Sequence, residues 1–269
     1  MSNSQPLVSV IMGIYNCADT LAESLDSLLV QTYQNFEIIM CNDGSTDNTF
    51  EIAKQYKDKY PNRIVLIENE KNMGLNYTLN HCLKYANGAY IARMDGDDIS
   101  LPLRFEKEVS FLDEHPEYAI VSSPMIYFDE NGEWGESKAI ENPTNLDFVT
   151  GTPFCHAPCM VRTEAYKEVN GYSTDDRTLR AEDYNLWFRL YAMGYKGHNL
   201  QTPLYKMRDD ENAYSRRSFK FAKNEAYVRY TGYKMLNLPK KYYIFALRPI
   251  IVGLLPKPIY MVLHHRRKH

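Results

Sequence analysis

The periodicity of apolar and polar positions changes repeatedly along this chain of 269 residues, and each change predicts an element. Leu7 to Ile14 is apolar at almost every position, the pattern of a strand buried on both faces of a parallel sheet. From Ala18 to Gln31 the apolar residues Leu21, Leu25, Leu28 and Leu29 form a helical stripe. Phe36 to Cys41 reads as a second strand. It runs into Asn42-Asp-Gly-Ser-Thr-Asp47, a run of turn formers that leads to a helix from about Thr49 to Lys59. Ile64 to Ile67 predicts a third strand, Leu75 to Tyr85 a helix, and Tyr90 to Met94 a fourth strand. Strands alternating with helices at this spacing imply an α/β fold with a parallel sheet and a nucleotide-sized crevice at the strand carboxyl ends. The loops at Asp43 and at Asp95 to Asp98 both follow strands, so they are expected to open onto the same edge.

Beyond Leu101-Pro102 the pattern predicts a helix to about Glu114 and a strand from Ala119 to Ser123. Residues 127–150 read as irregular, with polar turns at Asn131-Gly132 and Asn142-Pro143. Cys159 to Arg162 is a short strand leading into a helix. Ala181 to Met193 is a strongly patterned helix with Gly194 as its stop. There is no internal repeat and no low-complexity segment.

Charge divides the chain unequally. Residues 213–269 hold thirteen Lys or Arg and one acid, Glu225, for a net +12, whereas residues 1–212 carry −15. A basic segment of this kind points to an anionic partner surface. The acidic body argues against wrapping nucleic acid. Five scattered cysteines fit a reducing cytosol better than a disulfide framework. Cys155 and Cys159 flank His156 without a second ligand pair, so buried thiols fit better there than a zinc site. No signal peptide precedes Leu7, so a cytoplasmic location is expected.

The chemistry concentrates at Tyr90-Ile-Ala-Arg-Met-Asp95-Gly-Asp97-Asp98, where an apolar strand ends in three carboxylates within four positions. Like charges this close repel, and a divalent cation carrying phosphate relieves the conflict. Hard oxygen ligands suit Mn²⁺ or Mg²⁺. A solvated acidic turn is the alternative reading of the motif taken alone. In the first loop, Asp47 or Asn48 serves as a turn former and helix cap. Asp43 sits at the strand tip, where its carboxylate can accept from a base N–H.

Four blocks in order, VSVIMGIYN (residues 8–16), NDGSTDNT (42–49), YIARMDGDD (90–98) and RAEDYNLWFRL (180–190), resemble the family 2 inverting glycosyltransferases of the GT-A fold. The resemblance spans roughly residues 6–208 and implies a nucleotide-sugar donor, a divalent metal and transfer with inversion. It implies a Rossmann-like, mostly parallel sheet flanked by helices. In this chain that places a catalytic domain at 1–212, with a nucleotide-binding half at 1–100 and an acceptor half at 101–212. By the same resemblance Asp43 contacts the nucleobase and Asp95 the ribose or nucleoside side. Asp97 is the principal metal ligand, with Asp95 and Asp98 supporting it. Tyr15, Asn72 and Arg208 fall near the nucleotide, and UDP is the expected nucleotide. Asn76-Tyr-Thr78 is bulkier than the family's usual small residues there. Asp183 takes the role of catalytic base and Glu182 positions the acceptor or the base. Both also open a helix, where the dipole favours a carboxylate, and ordinary first-turn acids are the alternative reading.

The segment 213–269 is expected to form basic amphipathic helices. Within Tyr242 to Leu263 the longest uncharged run, Pro249 to Pro256, is eight residues, well short of the about 20 a spanning helix needs. The expected role is peripheral contact with an anionic membrane on its cytoplasmic face, with Tyr242 to Leu263 in the interface. A helical pair packed on the catalytic domain, or a homodimer interface, is the alternative. Resemblance to short family members implies a saccharide acceptor on a lipid diphosphate, in surface-polysaccharide assembly. With no channel-forming helices after the catalytic domain, one sugar per encounter is expected. A sugar nucleotidyltransferase would want a Gly- and Lys/Arg-rich loop after the first strand, and Ile14 to Ala18 has none. A non-catalytic nucleotide-sugar binding protein is disfavoured by the carboxylates at Asp95, Asp97 and Asp183.

Overall fold

The computed structural model describes residues 5–209 and 218–254. The first half alternates as the pattern predicts: β1 (Val8–Ile14), α1 (Leu21–Leu29), β2 (Phe36–Asn42), α2 (Thr49–Lys59), β3 (Ile64–Glu68), α3 (Leu75–Leu83) and β4 (Tyr90–Arg93). The second half comprises β5 (Ile99–Ser100), α4 (Arg104–Glu114), β6 (Ile120–Ser122), β7 (Met125–Asp129), β8 (Gly132–Glu136), β9 (Met160–Arg162), α5 (Thr163–Glu168), α6 (Glu182–Ala192), β10 (Gly197–Asn199) and β11 (Tyr205–Arg208). Then come α7 (Phe219–Met235), a 3-10 stretch (Lys240–Leu247) and α8 (Arg248–Gly253).

Seven strands form one sheet in the order β10-β6-β9-β4-β1-β2-β3. β1 lies in its interior, parallel to β2 on one side and β4 on the other. Alternation along β1 fills both faces. Val8, Val10, Met12 and Ile14 join α1 and α4 in one apolar cluster, while Ile11 joins α3, α5 and α6 in the other. This double burial is why β1 is apolar at almost every position. The short β9 is antiparallel to both β4 and β6, so the sheet is mixed although mostly parallel.

Two expectations change. Residues 127–150 are not wholly irregular, because β7 and β8 form an antiparallel hairpin within a second sheet ordered β5-β11-β7-β8. Its stabilising partner is β11, parallel to β7 from about eighty residues downstream, and local periodicity carries no trace of that pairing. The hairpin adds its own stack, Tyr127 on Trp134 with ring centroids 5.0 Å apart. The second change concerns the expected boundary at 212/213, which is not a boundary in packing. Val228, Tyr233, Leu236, Leu238 and Ala246 are buried in the same cluster as Trp187 and Phe188 of α6. The buried Arg229 pairs with Glu225 and donates to the Val149 carbonyl at 3.2 Å. Residues 228–246 of the basic segment therefore complete the core of the preceding α/β body. The part of the expected membrane segment beyond residue 254 lies outside the described residues.

Candidate active site

Because β1, β2 and β4 run parallel and side by side, the loops at their carboxyl ends share one edge of the sheet. The first two loops are stitched together. Asn16 N–H donates to Ser45 Oγ at 3.1 Å, Thr46 N–H to Asn16 Oδ1 at 2.8 Å, and Cys17 N–H to Thr49 Oγ1 at 2.8 Å. Asp47 accepts from the Thr49 and Ala18 amides, and so ties the start of α2 to the β1 loop. Tyr15 stands exposed beside this crossing.

Asp43 is buried rather than open at the strand tip. Its Oδ1 accepts from Asn69 Nδ2 and the Met73 amide, both at 2.8 Å, and its Oδ2 accepts from the Gly74 amide at 2.9 Å. What the structure shows of Asp43 is therefore a clamp on loop 69–74, which carries the exposed Asn72. Gly44 is required below that loop. It has φ +70, and a Cβ there would meet the Asn72 nitrogen at 2.8 Å.

The acidic loop after β4 is held from beneath by cations and hydroxyls. Arg93, 5% exposed, forms an ion pair with Asp95, and its Nε has no partner among the described residues. The Asp95 amide donates to the Tyr205 hydroxyl at 3.2 Å, and Asp98 Oδ1 accepts from the Arg208 amide at 2.8 Å. Ser24 Oγ donates to the Asp98 carbonyl at 2.7 Å, fixing the loop to α1. Gly96 leaves no room for a side chain, since a Cβ would lie 2.7 Å from Cys17 Sγ. One oxygen from each of Asp95, Asp97 and Asp98 lies within 4.8 Å of the others, and Asp97 is the most open of the three. Burial, then the charges of Asp95 and Asp97, push the Asp98 carboxyl well above its ordinary range. Such a group releases its proton more readily when a cation arrives.

Arg208 reaches this loop as a brace. Its Nε donates to the Asp97 carbonyl at 3.0 Å, its guanidinium pairs with Glu23, and it lies over the Phe128 ring. A second arginine, Arg104, is fully buried between Glu108 and the carbonyls of Arg93 and Cys159. Sequence reading passed over Arg93 and Arg104. An Arg directly before the acid cluster was the available signal for Arg93. Nothing local distinguished Arg104 from a surface helix residue.

The third component is the start of α6. Glu182 and Asp183 occupy its first turn. Burial, then the adjacent Glu182 charge, push the Asp183 carboxyl up to about 6, against opposing contributions from the Tyr184 amide and Arg93. Burial thus outweighs the helix-start effect expected from sequence. Glu182 is buried, and its Oε2 has no hydrogen-bond partner among the described residues. His156 does not approach the acids as a ligand. It bonds the Tyr172 hydroxyl at 2.8 Å, which in turn bonds Tyr166, and burial holds it well below its ordinary pKa. Cys155 and Cys159 are free thiols. The buried Arg93 thus pairs with Asp95 and acts electrostatically on Asp98 and Asp183 as well.

Comparisons with known proteins identify the family and the fold. The family model described as "Glycosyl transferase family 2" matches residues 9–169, and one described as "Glycosyl transferase family group 2" matches residues 90–266. The chain is 47% identical over 265 residues to EpsE of Bacillus subtilis (strain 168), provisionally described as a glycosyltransferase, covering 98% of this chain and 95% of that protein. It is 31% identical over 193 residues to WfaP of Escherichia coli, covering 72% of this chain and 73% of that protein. WfaP is named as a UDP-Glc:alpha-D-GlcNAc-diphosphoundecaprenol beta-1,3-glucosyltransferase. Among solved structures, Staphylococcus aureus TarS 1–349 in complex with UDP-GlcNAc superposes with a TM-score of 0.71 at 21% identity, over 91% of this chain and 72% of that one. The mannosyltransferase PcManGT of Pyrobaculum calidifontis, in complex with GDP-Man and Mn²⁺, gives 0.67 at 18% identity, over 98% and 80%. At these identities the two structures speak for the fold, which is GT-A.

Proposed function

The chain belongs to glycosyl transferase family 2, and we propose that it moves a sugar from a UDP-sugar, with inversion, to a saccharide acceptor carried on a lipid diphosphate during surface-polysaccharide synthesis. The observation that carries this reading is the acidic triplet gathered at the end of β4, with the buried Arg93 paired to Asp95 and acting electrostatically on Asp183 as well. The donor assignment draws support from the UDP-sugar in WfaP's name, and the acceptor assignment from its diphosphoundecaprenol. Free thiols throughout fit action on the cytoplasmic side of the membrane. Among the described residues no helix is long and apolar enough to cross a membrane.

Inversion needs one base on the acceptor side. Asp183, with its pKa at about 6, is ionised at neutral pH yet binds a proton more firmly than an ordinary carboxylate. It takes the proton of the acceptor hydroxyl as that oxygen bonds to the anomeric carbon. The bond from that carbon to the diphosphate breaks on the opposite face, and its electron pair leaves with UDP. Glu182, with an unpartnered oxygen beside the base, orients the acceptor. Three hard carboxylate oxygens within 4.8 Å suit Mn²⁺ or Mg²⁺, with Asp97 the principal holder and Asp95 and Asp98 in support. When bound, the metal offsets the charge of the departing diphosphate. Arg93 keeps Asp95 oriented for that task, and Arg208 braces the loop at Asp97.

A panel of nucleotide sugars assayed for hydrolysis with Mn²⁺ tests the donor half without knowledge of the acceptor. A UDP-sugar is expected to be hydrolysed, EDTA to stop the reaction, and Asp97→Ala to reduce it by at least about two orders of magnitude. Full activity in chelator overturns the metal assignment, and selective hydrolysis of another nucleotide's sugars overturns UDP.

A further inference from the structure

We propose that one face of the C-terminal helices is a docking surface for an anionic lipid bilayer, fixed rigidly against the helix that carries Asp183. The surface stands on geometry and charge, and only its consequence for the acceptor rests on the function proposed above.

From Lys240 the chain runs as a 3-10 stretch straight into α8. Its inner side meets the core through buried Ala246 and Pro249, with Tyr242 and Tyr243 against the same cluster. Its outer side presents Ile244, Leu247, Ile251 and Leu254, which are between 48% and 69% exposed. Their spacing of three, four and three residues keeps them on one line along the helical surface. Phe219, also exposed, joins the line, because the Cβ position at Gly253 lies 3.7 Å from its ring. Single exposed aliphatics are ordinary, but a contiguous row of five large apolar side chains marks an interaction surface.

Charge selects the occupant. Lys220, Lys223, Lys234, Lys240 and Lys241 are all exposed on these elements. The one acid from 218 to 254, Glu225, is already paired with Arg229. A second copy of this face would bring cations against cations, with no acid to compensate. A nucleic acid would match the lysines but leave the aliphatic row in water. A bilayer with anionic headgroups satisfies both features, since acyl chains receive the row and headgroups the lysines.

The mounting is rigid. A Cβ at Gly232 of α7 would lie 2.3 Å from the Phe188 ring of α6, so the two helices cross in close contact. Asn224 Nδ2 donates to the Asp176 and Leu179 carbonyls at 3.0 and 3.1 Å, in the segment that leads into α6. Seating α7 and α8 on a membrane therefore sets the attitude of Asp183 toward a lipid-borne acceptor, which a loose tether would not do.

The test is co-sedimentation of the full chain with phosphatidylglycerol/phosphatidylcholine vesicles and with pure phosphatidylcholine, at low and high salt. The parent is expected to bind the anionic vesicles and to be released only in part by salt. Ile244→Glu/Leu247→Glu/Ile251→Glu should weaken partitioning by at least about tenfold, including at high salt. Lys240→Glu/Lys241→Glu should remove mainly the salt-sensitive part. Melting curves and donor hydrolysis should match the parent in both variants, because these side chains face outward. A parent that ignores anionic vesicles, or a triple variant that sediments like the parent, overturns the proposal. So does a parent dimer that the triple variant converts to monomer, which would give the face to a second copy. Failure of donor hydrolysis across all sugars would instead bear on the function proposed above and leave the vesicle result standing.

Discussion

Asp183 shows how one residue's surroundings set both its chemistry and its cost. Its carboxyl is pushed from 3.8 to about 6, first by burial and then by Glu182. Asp183→Asn keeps the shape and removes the proton acceptor, so turnover should fall by about two orders of magnitude or more while UDP affinity holds. Loss of UDP binding along with turnover would mark Asp183 as structural. In the parent, turnover should rise with pH through about 6 as Asp183 ionises. The linkage to stability runs the other way. A carboxyl whose pKa is raised by folding contributes stability that is full below its unfolded value, and this is lost as pH climbs through the folded one. Asp183→Asn should therefore raise the melting temperature at about pH 7.5, with the gain shrinking toward pH 4. A uniform shift at all pH values would disconnect it from this titration.

Among the elements, the crossing of α6 and α7 decides the most. α6 delivers Glu182 and Asp183, and α7 covers its far side through Val228 and Tyr233. The close approach depends on Gly232, where an added methyl meets Phe188 at 2.3 Å. Gly232→Ala should cost about 1–3 kcal/mol by overpacking, a fall of several degrees in melting temperature for a chain of this size. An unchanged melting temperature would mean that α7 is not seated on α6. The β7–β8 hairpin makes the opposite case. It is held in the second sheet by the pairing of β7 with β11, which also carries Arg208 to the acidic loop.

For the whole molecule, the basic segment is continuous with the catalytic body at least as far as Gly253. Residues beyond 239 bury Ala246, and Arg248 donates to the Thr150 carbonyl at 3.0 Å. Deletion of residues 240–269 should therefore lower the melting temperature and abolish donor hydrolysis at about 37 °C, the loss tracking unfolding by circular dichroism. A folded, fully hydrolysing truncation would show the segment to be separable, as its charge alone suggested.

The β1–β4 alternation, the shared edge of the acidic loops and the helix opening at Asp183 were legible in the residues, because each is written in local periodicity and turn chemistry. α2 runs from Thr49 to Lys59 as its pattern predicts, and Gly194 ends α6's turn with φ +90. Tertiary structure alone decided what is assembled from distant segments. Asp43 was legible as a strand-tip acid, but loop 69–74 folds over it and takes its oxygens. Arg93 was an ordinary strand residue until the fold buried it, paired it with Asp95 and brought it into electrostatic reach of Asp183. The hairpin and the docking of α7 depend on pairings across tens of residues. Periodicity reports whether a side chain is buried, and never which partner buries it.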